Sequence, residues 1–224
     1  VGLPLAMRFS DEKFKTIGFD LDEVKVKLIN EGKSYIDHID DDLIIRAKKL
    51  GFEATMNFEN ISNVDAIIVC VPTPLGVHNE PDLSYIHGTI KMIKSYLKPG
   101  QALVLESTTY PGTTEEEIAP QLSSLNFLEN NDNSKILIGT NFFVGYSPER
   151  EDPGNKNFNI SNITKLVSGY SKPCLIKCGK LYKSINIKTQ KVSSIKTAEI
   201  TKLYENIFRS VNIGLVNEMK LIAD

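Results

Sequence analysis

Blocks of consecutive apolar residues alternate along this chain with segments whose apolar positions recur at helical spacing. The first ten residues already carry the helical pattern, and residues 16–21 form a short apolar strand. A helix is predicted over 22–32, with Asp22 as its N-cap and Gly32 as its stop. Another is predicted over 41–51, with a basic last turn before Gly51. Residues 64–72 are a continuous apolar run closed by proline, the pattern of a strand buried on both faces. A helix follows over 83–97, a buried strand over 102–108, and a helix with an acidic first turn over 113–122. Residues 130–134 read as a surface loop, 141–149 and 165–170 as strands, and 173–185 as a helix. From Ser193 to Asp224 a helical pattern runs on without proline. Ile200, Leu203, Ile207, Val211 and Leu215 share one stripe of it, and Lys202, Asn206, Arg209 and Asn217 the opposite one.

Strands that alternate with helices need crossover connections, which are right-handed. The predicted fold class is therefore α/β, a doubly wound, mainly parallel sheet of the Rossmann-like kind over residues 1–192. A long central helix over 193–224 follows it.

Composition narrows the functional classes. Of 224 residues, 41% are hydrophobic and 24% charged, which is enough apolar material for a sizeable core. The net charge of −2 argues against a general nucleic-acid binder. No apolar run reaches the length of about 18 residues that a membrane span needs, and no secretory signal is visible. Cys70, Cys174 and Cys178 are an odd count among apolar neighbours, which suits reduced cytoplasmic thiols. Core packing accounts better than metal for the pair Cys174 and Cys178, and His38, His78 and His87 fall in no metal-like spacing.

Candidate chemistry gathers where strands end, because loops at the C-terminal ends of parallel strands line the ligand crevice. Gly2 stands just before a helix, where pyrophosphate approaches a dinucleotide-binding turn. Asp20 ends a strand 18 residues later, and fits equally an acceptor for ribose hydroxyls and a turn former. Val71, Pro72 and Thr73 end the next strand; two prolines hold that loop rigid and leave the Thr73 hydroxyl on offer. Glu106 to Thr114 follows, with hydroxyls that could bind a cofactor or orient a water, and with Thr113 or Thr114 as an alternative N-cap. The segment 146–155 is the densest polar cluster; it is either a solvated loop or, through Glu149, the source of a base acting through water. Lys202 and Asn206 are neighbours on one helical face and could stabilise an alkoxide, although spacing alone favours a wet face.

Six of these segments, taken in order, resemble the UDP-glucose/GDP-mannose dehydrogenase family. Val-Gly-Leu-Pro-Leu-Ala (1–6) resembles the end of the family's GxGYVGLPLA motif, and Gly-Phe-Asp-Leu-Asp (18–22) its second strand. Val-Cys-Val-Pro-Thr-Pro-Leu (69–75), Glu-Ser-Thr-Thr-Tyr-Pro-Gly-Thr-Thr-Glu (106–115), Tyr-Ser-Pro-Glu-Arg-Glu-Asp-Pro-Gly-Asn (146–155) and Ala-Glu-Ile-Thr-Lys-Leu-Tyr-Glu-Asn (198–206) complete the set. The form of 146–155 resembles the UDP-N-acetylglucosamine 6-dehydrogenase branch.

The resemblance implies NAD as cofactor, a UDP-sugar as substrate, and oxidation of its C6 alcohol to a carboxylate for surface polysaccharide. It implies cofactor contacts at Val1, Gly2, Asp20, Lys25, Val71, Pro72, Thr73, Ser107 and Thr108. It implies catalytic roles for Thr108, Glu149, Lys202 and Asn206, and substrate contacts from Glu149, Arg150, Glu151, Lys202, Asn206 and Arg209. No metal is implied. A first strand would precede Val1, and a catalytic cysteine and a substrate domain would follow Asp224; none of the three cysteines present stands in the required motif. A cytoplasmic homodimer built on the central helix is expected. UDP-glucose or UDP-N-acetylgalactosamine as substrate, a non-catalytic dinucleotide-binding module, and a small-substrate β-hydroxyacid dehydrogenase are the alternatives.

Overall fold

Short strands buried by helices on either face organise the molecule, whose computed structural model describes residues 2–78, 80–128, 133–149 and 163–224. The strands are β1 (Thr16–Phe19), β2 (Phe52–Thr55), β3 (Ala66–Val69), β4 (Ala102–Leu105), β5 (Phe143–Tyr146), β6 (Lys165–Gly169) and β7 (Thr189–Lys191). The α-helices are α1 (Gly2–Asp11), α2 (Glu23–Glu31), α3 (Asp41–Lys49), α4 (Ser84–Ile93), α5 (Ala119–Ser123), α6 (Lys172–Lys183) and α7 (Ile195–Ala223).

Hydrogen bonding divides the strands into a parallel pair, β1–β2, and a five-stranded sheet in the order β3-β4-β5-β6-β7. In that sheet β3, β4 and β5 are parallel, β6 runs antiparallel to β5, and β7 is parallel to β6. The sheet is thus mainly parallel, as the alternation of elements predicts, but it is in two pieces. Helix α1 spans them. Its Leu3 joins Ile29, Ile44 and Phe52 over the β1–β2 pair. Its Leu5 and Phe9 join Val104, Val167, Cys178 and Tyr182 on one face of the larger sheet. The opposite face carries the largest cluster, built from α4, α5 and the start of α7.

Local boundaries follow the sequence where the cap is local. Asp22 accepts hydrogen bonds from the Val24 and Lys25 amides, and Gly32 ends α2 at φ 82°, a left-handed conformation that glycine adopts without strain. Strand β4 is buried throughout, whereas β3 alternates, with Ile67 and Val69 buried and Ala66 and Ile68 half-buried. Strand β3 lies at the edge of its sheet, where α1 covers it only partly, so the two-faced burial predicted for 64–72 belongs to one face only.

The segment predicted as a helix over 113–122 begins as a π-helical turn, Thr113–Ile118, and becomes α-helical only in α5. Neither Thr113 nor Thr114 caps it with its side chain, because the cap position is Gly112 at φ 102°. The carboxylate of Glu199, from the far end of the sequence, takes that place.

Helix α7 is the other departure. It forms over nearly the predicted span, with the Ser194 hydroxyl accepting from the Thr197 amide. Its polar face is turned inward: Glu199 is buried and Lys202 and Asn206 are half-buried, while Ile200, Ile207, Val211 and Leu215 are exposed. The spacing-based preference for a wet Lys–Asn face is therefore corrected for Lys202 and Asn206, and holds for the exposed Arg209. Among the described residues no helix is long and apolar enough to cross a membrane.

Candidate functional site

Three loops leave the C-terminal ends of the adjacent strands β3, β4 and β5, and the polar groups of the first two stitch those two together. The Thr73 hydroxyl donates to the carbonyl of Thr108 at 2.6 Å, and the Ser107 hydroxyl to the carbonyl of Val71 at 2.7 Å. Both protons are thereby committed, which leaves the oxygens as acceptors and fixes the two loops to one another. Val71 and Thr108 are half-buried beside these bonds and Pro72 is exposed.

Gly2 opens α1 at the same edge, where a Cβ on it would lie 3.4 Å from the Cβ of Cys70. The first turn of α1 therefore rests on the end of β3. At the end of β1, one oxygen of Asp20 accepts from the Asp22 amide at 3.0 Å. The Lys25 ammonium lies 3.9 Å from Asp20 and 3.7 Å from Asp22, and 5.6 Å from the centre of the Tyr35 ring. Partial burial, together with Asp20 and Asp22, raises the Tyr35 phenol above its ordinary value. Val1, Arg150 and Glu151 lie outside the described residues.

The β5 loop is held from two directions. Lys202 on α7 donates to the backbone carbonyl of Glu149 at 2.5 Å. Lys165, the first residue of β6, places its ammonium 3.0 Å from Glu106 and 3.8 Å from the carboxylate of Glu149. Tyr182 donates its hydroxyl to the other oxygen of Glu106. Burial alone would lower the pKa of Lys165, yet Glu106 and Glu149 hold it above the ordinary lysine value. The ammonium is therefore charged in this interior.

The second hidden carboxylate is Glu199. It accepts from the Gly112 amide at 2.6 Å, the Thr114 amide at 2.9 Å and the Thr114 hydroxyl at 2.8 Å. Burial pushes this carboxyl above its usual range, against the three hydrogen bonds that pull it down. One turn of α7 thus carries the residue that caps the Thr108 loop's helix and, three positions on, the residue that grips the Glu149 loop.

Sequence reasoning places Gly2, Asp20, Thr73, Ser107, Thr108, Glu149, Lys202 and Asn206 near strand ends or on one helix face; Thr73, Ser107, Thr108 and Glu149 follow adjacent strands of the larger sheet, and Asp20 ends a strand of the separate β1–β2 pair. That reasoning gives no role to Lys165, Tyr182 or Glu199. A charge set among apolar residues, as in the segments around Glu106 and Lys165, is the signal that was present: such charges are rarely buried unless paired. The three cysteines are free, and Cys174 and Cys178 are buried in the core. Among the described residues no group of three His, Cys, Asp or Glu side chains could hold a metal ion.

Residues 1–186 match the UDP-glucose/GDP-mannose dehydrogenase family, NAD binding domain. The chain belongs to that family. Protein CapL of Staphylococcus aureus is 40% identical over 225 residues, covering 100% of this chain and 50% of that protein. The UDP-N-acetyl-D-glucosamine 6-dehydrogenase of Pseudomonas aeruginosa is 37% identical over 99% of this chain and 50% of its own length. The solved UDP-D-ManNAc dehydrogenase of Pyrococcus horikoshii superposes with a TM-score of 0.84 at 32% identity, over 100% of this chain and 51% of that one. The family member described here thus spans about half the length of the curated relatives it matches, and that half is the NAD-binding one.

Proposed function

We propose that this protein is an NAD-dependent nucleotide-sugar 6-dehydrogenase that oxidises the C6 alcohol of a UDP-N-acetylhexosamine, UDP-N-acetylglucosamine first, to the uronic acid. The observation that carries this reading is the Lys202–Glu149 bond, which joins the inward polar face of α7 to the loop after β5. Relatives named for UDP-N-acetylglucosamine support the choice of sugar.

The residues present fit the dinucleotide. The Gly2 amide at the start of α1 suits pyrophosphate, and the family motif assigns Val1 to the same contact. The exposed carboxylate of Asp20, with Lys25 beside it, suits the ribose hydroxyls and disfavours a 2′-phosphate. The stitched loops Val71–Pro72–Thr73 and Ser107–Thr108 would form the wall beneath it. NAD⁺, when bound, supplies the hydride acceptor.

The residues of this chain would take the following parts, and the covalent step to the acid would need the cysteine that the family resemblance places outside them. Glu149 takes the proton through water, with the Thr108 hydroxyl ordering that water. Lys202 and Asn206 meet the developing negative charge on the C6 oxygen. Glu149, Arg150, Glu151, Lys202, Asn206 and Arg209 line the sugar side. The exposed apolar stripe of α7 is the dimer surface in this reading, residues 1–192 form the cofactor domain and 193–224 the central helix, and the protein works in the cytoplasm for surface polysaccharide.

The test is NADH production by the full-length gene product with UDP-N-acetylglucosamine, UDP-N-acetylmannosamine and UDP-glucose offered separately. Two NADH per UDP-N-acetylglucosamine, with little from the others, is the expected result. Preference for another sugar moves the substrate, and one NADH per sugar or none overturns the reaction. Asp20→Ala is expected to weaken NAD⁺ binding on the order of tenfold, as loss of charge-assisted hydrogen bonds does; calorimetric titration with an unchanged Kd would remove Asp20 from the cofactor site.

A further inference from the structure

Lys165 belongs to no motif, yet its ammonium reaches the site's carboxylate, 3.8 Å from Glu149. Its side chain is 8% exposed and that of Glu106 is 0% exposed. A buried pair of this kind survives only when every charge is matched and hydrogen-bonded. Glu106 meets that condition: one oxygen takes the Tyr182 hydroxyl and the other the Lys165 ammonium. Both oxygens of the anchor are therefore engaged. The ammonium has protons beyond the one it gives Glu106, and they face the carbonyl of Pro148 at 3.5 Å and the Glu149 carboxylate at 3.8 Å. Pairing Glu106 would need neither contact. They put Lys165 on the side chain of Glu149 while Lys202 holds the backbone of the same residue.

We propose that Lys165 is a positioning residue, anchored by Glu106, that holds the Glu149 carboxylate in the orientation the reaction requires. The proposal rests on the role given to Glu149 above. Around this carboxylate stand Lys165 from β6, Glu106 from the end of β4, and Lys202 from α7; the Cys70 thiol after β3 and the Tyr182 phenol from α6 complete the cluster around Glu106 and Lys165. Lys165 reaches the carboxylate itself, whereas the Lys202 bond is to the backbone carbonyl.

The experiment is a double-mutant cycle in the full-length enzyme, with kcat for the preferred UDP-sugar as the readout. Lys165→Met is expected to lower kcat on the order of tenfold, the size of a typical coupling between touching charged residues, with KM for NAD⁺ unchanged. In a Glu149→Gln background the same substitution is expected to change kcat less than about twofold, because there is no carboxylate left to hold. Lys165→Arg is expected to restore most of the rate. A lysine that served stability alone would lower the melting temperature and slow both backgrounds by the same factor, and that result overturns the proposal. If Lys165→Met does not yield folded enzyme, Glu106→Gln, nearly the same shape, carries the cycle: a rate change confined to the Glu149 background sustains the proposal, and equal or absent changes overturn it. Wild-type kcat in Glu149→Gln itself would remove Glu149 from the reaction and Lys165 with it, whereas a slow Glu149→Gln with equal Lys165 effects removes Lys165 only.

Discussion

Replacing Glu199 with alanine is expected to lower the stability of the domain by about 3 kcal/mol. The substitution strips three donors of one buried acceptor: the Gly112 amide, the Thr114 amide and the Thr114 hydroxyl. Buried amides left unpaired cost more than the net value of the bonds they had made. It also leaves a space between α7 and the π-helical turn, which neighbours fill only in part. Glu199→Gln separates capping from packing. The amide keeps the volume and one acceptor oxygen, but must turn an N–H₂ group toward an N–H, so about half the loss is expected to remain. Urea unfolding of the three proteins would decide it. An alanine variant within about 0.5 kcal/mol of wild type would show that the cap is not needed.

Stability is also expected to fall steeply on the alkaline side. Burial, then nearby Glu106, raises the thiol of Cys70; burial, then Cys174, pushes Cys178 up to about 12. Burial raises the phenols of Tyr146 and Tyr182 as well, with Glu199 and Glu106 adding to it. Lys165 is raised by its two carboxylates against its burial. In every case the folded state holds the proton at a pH where the unfolded chain releases it. A raised group keeps its full contribution below its unfolded value and loses it as pH climbs from there toward the folded value. The window therefore opens near pH 9 for the thiols, near pH 10 for the phenols and near pH 10.5 for Lys165. Each group removes up to about 1.4 kcal/mol per pH unit in its window, so Cys70 and Cys178 together account for about 3 kcal/mol by pH 10. Urea unfolding under reducing conditions at pH 7.5, 9 and 10 measures it. Cys178→Ala is expected to flatten the first part of the fall; a flat profile to pH 10 would mean that the thiols are not held protonated.

What could be read from the sequence was whatever a residue does with its near neighbours. Asp22 and Gly32 mark the ends of α2 because both act within four residues of themselves. The strand ends of the site were legible for the same reason: apolar runs stop at Pro72, at Glu106 and at Pro148, and the sheet brings the stops together. Three features were out of reach because their causes lie far along the chain. The cap of the π-helical turn comes from a residue 85 positions after Thr114. Lys165 and Glu106 are 59 residues apart, and although apolar neighbours mark each as a charge bound for the interior, nothing local says which partner it meets. The facing of α7 departs from the amphipathic rule after its first turn, where Ile195 and Ala198 are buried in the apolar core but the polar Glu199, Lys202 and Asn206 also turn inward. A helix normally turns its apolar stripe to the body, but the domain offers α7 amides, a carbonyl and a carboxylate, so the polar stripe is the complementary one there.

That helix also has a mechanical side. From Ile207 to Asp224 every residue is exposed, so the body holds α7 by its first three turns only. Glu199 sits near the held end, and the rod extends about 36 Å beyond it at 1.5 Å per residue, whereas Lys202 stands only about 4.5 Å along the axis. Lys202 and Ala223 lie on the same side of the Glu199 clasp, at axial distances in a ratio of roughly one to eight. A swing of about 3 Å at the outer tip becomes a shift of about 0.4 Å at Lys202. Conversely, a sideways load on the tip reaches Lys202 multiplied by the same ratio, and it arrives at the side chain that grips the Glu149 loop.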